Sequence, residues 1–193
     1  MRTISGIWLR ARRSLRNLAR DNSGIAATEF AVIVPIMLVM FFGTVEFSSG
    51  VAVDRKVTLM ARTLSDLTSQ STSVGDTDMT NFFAASAAIM TPYSSTPTHS
   101  TISELYVDPA TLKARVQWSK GTAPRTAGSQ VTIPAALAVA GTYLIFSEVS
   151  YLYVPTIGYV MAKAGVNLSD VSYTRPRQST CVYYSPAVAC TTL

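Results

Sequence analysis

Gly24-Ile-Ala-Ala-Thr-Glu29-Phe30-Ala-Val-Ile-Val-Pro35-Ile-Met-Leu-Val-Met-Phe-Phe-Gly-Thr-Val45 carries a single acid inside an apolar run, and the rest of the chain is read outward from it. Phe30 to Val45 is sixteen residues without a charge, and counted from Ile25 the apolar segment reaches twenty-one. At a rise of about 1.5 Å per residue, roughly 20 helical residues cross the roughly 30 Å hydrocarbon core of a bilayer. The run is therefore expected to span, with its flanking side chains snorkelling to the interface. Glu29 lies within this segment, where an unpaired carboxylate costs at least a few kcal/mol, so a partner for it is expected.

The flanks differ sharply. Residues 1–24 hold six arginines (Arg2, Arg10, Arg12, Arg13, Arg16, Arg20) against Asp21, which accounts for the whole formal charge of +5. The remaining 169 residues balance ten Lys/Arg with ten Asp/Glu and leave no basic patch for nucleic acid. In the leader, Ile4, Ile7, Trp8, Ala11, Leu15 and Leu18 recur at helical spacing opposite the arginines, with Leu9 as the exception. Two readings stay open: a basic amphipathic helix on an anionic leaflet, or an unfolded basic flank. Both leave the N-terminus in the cytoplasm, because arginines resist translocation. The remainder is then expected outside. There Cys181 and Cys190, nine residues apart, would close a loop worth roughly 2–3 kcal/mol in an oxidising compartment.

Beyond Glu46 the helix is expected to continue, since Val53, Val57, Met60, Ala61, Leu64 and Leu67 keep a three/four spacing, with Asp54, Arg55, Arg62 and Asp66 off that stripe. The product is one helix of about forty residues or more, apolar in its first half and amphipathic in its second, with a kink expected at Pro35. Ser69 to Thr77 reads as a polar linker, and Asp76 or Thr77 as the cap of a short helix over Asp78 to Met90. Thr91 to Thr98 reads as loop. Strands follow. Leu112, Ala114, Val116 and Trp118 alternate with polar residues, and Thr142 to Val154 places Tyr143, Ile145, Val149, Tyr151 and Tyr153 on one side. Ile102–Val107 and Val171–Arg175 are weaker strands, with Pro155 to Asn167 irregular or briefly helical between the last two. The expected fold class is α+β: a long N-terminal helix whose outer half carries a small antiparallel sheet. Three segments result, namely a leader (1–24), a transmembrane and amphipathic helix (25–68) and an outer α+β domain (69–193).

Catalysis is not expected. His99 is the one histidine, set among Ser and Thr beside prolines, with no evident nucleophile or carboxylate partner. Glycine-rich phosphate or dinucleotide motifs are missing from the sequence, and no metal or cofactor site is expected. Glu29 and Glu46 are seventeen residues apart, about 25 Å along a helix, too far to act as a pair.

A basic leader, then Gly24, then an acid five residues into an apolar stretch resembles a type IV prepilin cleavage site. Gly24-x-x-x-x-Glu29-Phe30 followed by an apolar helix is similar to the tight-adherence (Tad/Flp) pseudopilins of the TadE-like family, most closely over residues 22–68. Val149-Ser-Tyr-Leu-Tyr-Val-Pro155 and Tyr173-Thr-Arg-Pro-Arg177 resemble that family's closing aromatic strand and Arg-Pro-Arg ending. The resemblance implies a pilin-like protein of the bacterial inner membrane, cut by a prepilin peptidase between Gly24 and Ile25. Glycine suits such a position because the backbone can approach the peptidase without a side chain. It also implies that Glu29, beside Phe30, pairs with the freed Ile25 amine of a neighbouring subunit, so that both charges leave water together. The implied partners are other Tad pilins and pseudopilins, assembly-platform proteins and the peptidase. Major pilins of these systems are very short, so about 120 residues beyond the span imply a minor component. The competing reading of Glu29 is an interfacial acid opening an ordinary signal anchor. The competing proteins are an uncleaved, membrane-anchored envelope protein, and a secreted enzyme or binding protein released near Gly50. The Arg175-Pro176-Arg177 element reads either as a docking edge or as a strand end with solvated charges.

Overall fold

The structure, a computed structural model, describes residues 14, 17, 24–155, 165–187, 189, 190 and 192. The expectations for the leader's helical pattern and for residues 156–164 lie outside the described residues. Helix α1 runs unbroken over Gly24–Ser69, 46 residues, and passes through Pro35. Internal contacts divide the chain into two units, residues 1–45 and 46–193. The second half of α1 thus belongs to the same unit as the sheet.

In that second unit the elements follow as β1 (Ser73–Val74), α2 (Asp76–Ala87), a 3-10 turn (Ala88–Met90), β2 (Thr98–Val107), β3 (Ala114–Gly121), β4 (Gln130–Val131), a 3-10 turn (Ala135–Leu137), β5 (Tyr143–Tyr153), β6 (Val166–Thr174) and β7 (Tyr183–Tyr184). Five strands form one antiparallel sheet in the order β4-β3-β2-β5-β6. The fold is α+β. Its centre is the long β2–β5 pair, in register from Thr98↔Tyr151 to Tyr106↔Tyr143.

Side-chain alternation assigns the two faces of the sheet. Ile145, Val149 and Tyr151 of β5 and Ile102 of β2 face α1, where Val53, Val57, Met60, Ala61 and Leu64 are buried against them in two adjoining clusters. Ser147 lies in the same row and donates its hydroxyl to the Ala61 carbonyl at 2.6 Å. The stripe expected from the sequence is the packed face, except that Leu67 is only partly buried while Thr68 is fully so. Thr68 can be buried because its Oγ1 donates to the Leu64 carbonyl at 2.9 Å, which satisfies the hydroxyl within the helix. On the opposite face, Leu105, Val107, Val116, Leu144 and Phe146 form a second core, covered by Val131, Ile133 and Leu137 from the β4–β5 connection.

Four local expectations change. The run Leu112–Trp118 is not one alternating strand. Leu112 sits in a turn with φ 56°, and β3 begins at Ala114. The register then slips, with Leu105 opposite Val116 but Glu104 opposite Trp118, so Gln117 is an extra residue. This bulge puts Val116 in the outer core and swings Trp118 to the α1 side. The short helix is capped by Gly75, whose N–H donates to Asp78 Oδ2 at 2.9 Å, rather than by Asp76 or Thr77. The stretch Ser69–Thr77 is not all linker: Ser73 and Val74 pair in parallel with Tyr183 and Tyr184. β2 also opens at Thr98, which places His99 on a strand opposite Ser150 and not in a loop.

The chain's C-terminal segment is held by a buried acid. Glu104 on β2 is 1 % exposed, and its Oε1 accepts the Val182 N–H at 2.6 Å. Trp118 Nε1–H donates to the Val182 carbonyl at 2.6 Å, so both sides of that peptide are held from the sheet. Cys181 and Cys190 are bonded to each other, with Cα atoms 5.8 Å apart. Lys120, turned to the same side by the bulge, pairs with Asp76, which also accepts the Tyr184 hydroxyl. Burial pushes the Glu104 carboxyl up to about 8, against the opposing pull of the Val182 amide and the Trp118 indole.

Two outcomes follow from this packing. In full-length protein in detergent, Leu64→Ala is expected to lower unfolding free energy by about 2–5 kcal/mol, whereas Leu59→Ala, on the exposed side of α1, changes it by about 0.5 kcal/mol or less; urea titration distinguishes them. Glu104 binds its proton more tightly folded than unfolded. Its stabilising contribution is thus complete below the ordinary value of 4.5 and is lost as pH rises to about 8. Unfolding free energies from urea titrations between pH 4.5 and 9 are expected to fall along this range by roughly 3–5 kcal/mol in the wild type and to flatten in Glu104→Gln. Parallel profiles would show that Glu104 is ionised in the fold.

Candidate functional site

Gly24, Ile25, Glu29 and Phe30 occupy the first two turns of α1, and all are exposed. Among the described residues, none outside the helix's own backbone and Gly24's chain neighbours comes within 4 Å of where a Gly24 side chain would begin. Thr28 turns its hydroxyl inward and donates to the Ile25 carbonyl at 2.8 Å. A polar residue is thereby accommodated in an apolar stretch without an unsatisfied donor. Thr44 does the same at the other end, donating to the Met40 carbonyl at 2.8 Å. Between them the side chains face outward: Phe30 is 69 % exposed and Met40 68 %. The most apolar 18-residue window of α1 has a mean hydropathy of 2.3, and none of it is buried within the protein. By length and composition this helix can cross a membrane.

The described residues outside α1 offer little for chemistry. No group of three or more His, Cys, Asp or Glu side chains converges among them. His99 lines a shallow bowl with Thr101, Arg125, Glu148 and Asp170. Arg125 is already committed there. Its Nε and Nη2 donate to Glu148 at 2.7 and 2.5 Å, in the bidentate geometry that suits a guanidinium. The Arg175-Pro176-Arg177 element divides. Arg177 forms an ion pair with Asp66 of α1 and donates its backbone N–H to the Ser69 carbonyl at 2.9 Å, while Arg175 is exposed. Arg177 thus serves to fasten the end of β6 to the helix.

Two features at this level escape a reading of the sequence. Glu104 is one acid in an otherwise strand-like run, Ile102-Ser-Glu-Leu-Tyr-Val107, and an acid flanked by buried apolar residues on a central strand is the signal that could have marked it. The pairing of Ser73–Val74 with Tyr183–Tyr184 joins segments over a hundred residues apart and has no local signal.

No curated protein and no solved structure matches the chain. One family model does, described as TadE-like protein, over residues 24–64. The match opens at Gly24, covers the exposed apolar half of α1 and ends at Leu64, inside the packed stripe. Residues 24–64, about a fifth of the chain, are thus similar to the TadE-like family.

Proposed function

We propose that this protein is a minor pseudopilin of a Tad (Flp) type IVb pilus, acting in pilus assembly and adherence. The observation that carries the reading is the family match beginning at Gly24, with Glu29 five residues later in an exposed apolar helix. The protein is anchored in the bacterial inner membrane by the first half of α1. Its arginine-rich N-terminus lies in the cytoplasm and residues 46–193 in the periplasm. A prepilin peptidase cuts between Gly24 and Ile25, which removes the +5 leader. The freed Ile25 amine then pairs with Glu29 of a neighbouring subunit. Neither charge could remain alone in lipid, so assembly depends on cleavage. The disulfide of Cys181 with Cys190 suits the oxidising periplasm. The protein works without catalysis, cofactor or nucleic acid. It acts through helix packing in the membrane and through its sheet outside, against other Tad pilins, pseudopilins and assembly-platform proteins.

Intact mass and N-terminal sequencing of the membrane-extracted protein test this reading. Expressed with its prepilin peptidase, the protein is expected to begin at Ile25. Without the peptidase, or as Gly24→Ala, it is expected to begin at Met1. A start at Met1 in every sample would overturn the cleavage and leave an uncleaved, signal-anchored envelope protein.

A further inference from the structure

Within the unit formed by residues 46–193, one surface is apolar where a water-facing surface would not be. The first two turns of α1 in this unit and the ends of β5 and β6 enclose a groove of about 380 Å³, lined by Phe47, Gly50 and Val51 on one side and by Tyr153, Pro155, Val166 and Leu168 on the other. Phe47 is 75 % exposed and Val166 54 %, and Val154 beside them is also exposed. The two charged residues on its rim, Glu46 and Asp54, are both acids. Tyr153 fastens the walls together. Its ring lies 3.6 Å from where a side chain on Gly50 would begin, and its hydroxyl donates to the Glu46 carbonyl at 3.4 Å. The strand ends are thus held at the level of Glu46 along α1.

That level is informative because Glu46 directly follows Val45, the last residue of the apolar run, in an unbroken helix. The headgroup region adds roughly 5–8 Å to each side of the hydrocarbon core, and a helix covers that depth in about four or five residues. Phe47 falls on this stretch, and Val51 lies one residue beyond it. Tyrosine, with an apolar ring and a polar tip, is the residue type enriched at such a boundary. An exposed apolar surface continuous in sequence with a span has an occupant at hand. We propose that this groove is a membrane seat, in which Phe47, Val51, Tyr153 and Val166 rest in the headgroup layer of the bilayer that α1 crosses. Among the described residues that line the groove there is no basic one, so the contact proposed for them depends on apolar burial and not on anionic lipid. The proposal rests on α1 being a membrane anchor, and its test separates the two.

Single spin labels at Phe47→Cys and Val166→Cys, in full-length protein with its disulfide intact, are placed in vesicles of zwitterionic phospholipid. Collision with oxygen, which concentrates in lipid, is compared with collision with a water-soluble nickel chelate. Labels at Val39→Cys and Val171→Cys report the span and the exposed, opposite part of β6. Labels at 47 and 166 are expected to favour oxygen, at a depth between those of 39 and 171. If 39 reads as lipid while 166 is as open to the chelate as 171, the seat is refuted and the anchor stands. If 166 is shielded from both probes, a protein surface such as a second copy covers the groove, and the seat is again refuted. If 39 itself is open to the chelate, the anchor reading fails and the seat with it.

Discussion

The contact on which the outer unit depends is the seating of one helical stripe, Val53, Val57, Met60, Ala61 and Leu64, against the row Ile102, Ile145, Val149 and Tyr151 of the central strands. This interface buries side chains from α1, β2 and β5 at once, and the remaining strands extend from that pair. The same helix carries two opposite demands. In the first half none of the apolar residues is buried and nearly all are exposed, while in the second the apolar residues of one stripe are buried. Burial drives the second half into a protein core, whereas the first half is long and apolar enough to cross a membrane. Between the two, the helix changes from an all-round apolar surface to a stripe.

A second constraint acts at the far end of the sheet. One extra residue in β3, Gln117, reverses the facing of everything after it, so that Trp118 and Lys120 reach the α1 side. Their partners there are the Val182 carbonyl, Asp76 and the ring of Tyr184. Glu104 completes the arrangement by accepting the Val182 N–H from within the core. A C-terminal segment whose one strand in the described residues is only two residues long is thereby fixed by hydrogen bonds in a low-dielectric setting, where each is strong and each would be costly to leave unmade.

This division bears on function. The TadE-like match covers the exposed apolar half of α1 and the stripe that seats the sheet, and it stops at Leu64. The sheet, the buried Glu104 and the disulfide-closed C-terminal segment lie outside it. The groove at the ends of β5 and β6 is formed by residues on both sides of that limit.

The sequence alone determined the elements whose cause is local and periodic. Sixteen uncharged residues make an apolar helix, three/four spacing makes its packed stripe, and alternation over Thr142–Val154 gives a strand that occurs as Tyr143–Tyr153. The α+β class was legible for the same reason. What only the tertiary structure decided has no local period. The bulge at Gln117 depends on which residue of β2 stands opposite it, and the sequence around Leu112–Trp118 alternates as if no bulge were there. The burial of Glu104, the pairing of Ser73 with Tyr183 and the tie from Arg177 to Asp66 each depend on segments far apart in the chain meeting in space. Periodicity records what one element needs from its surroundings; the partner that supplies it is chosen by the fold.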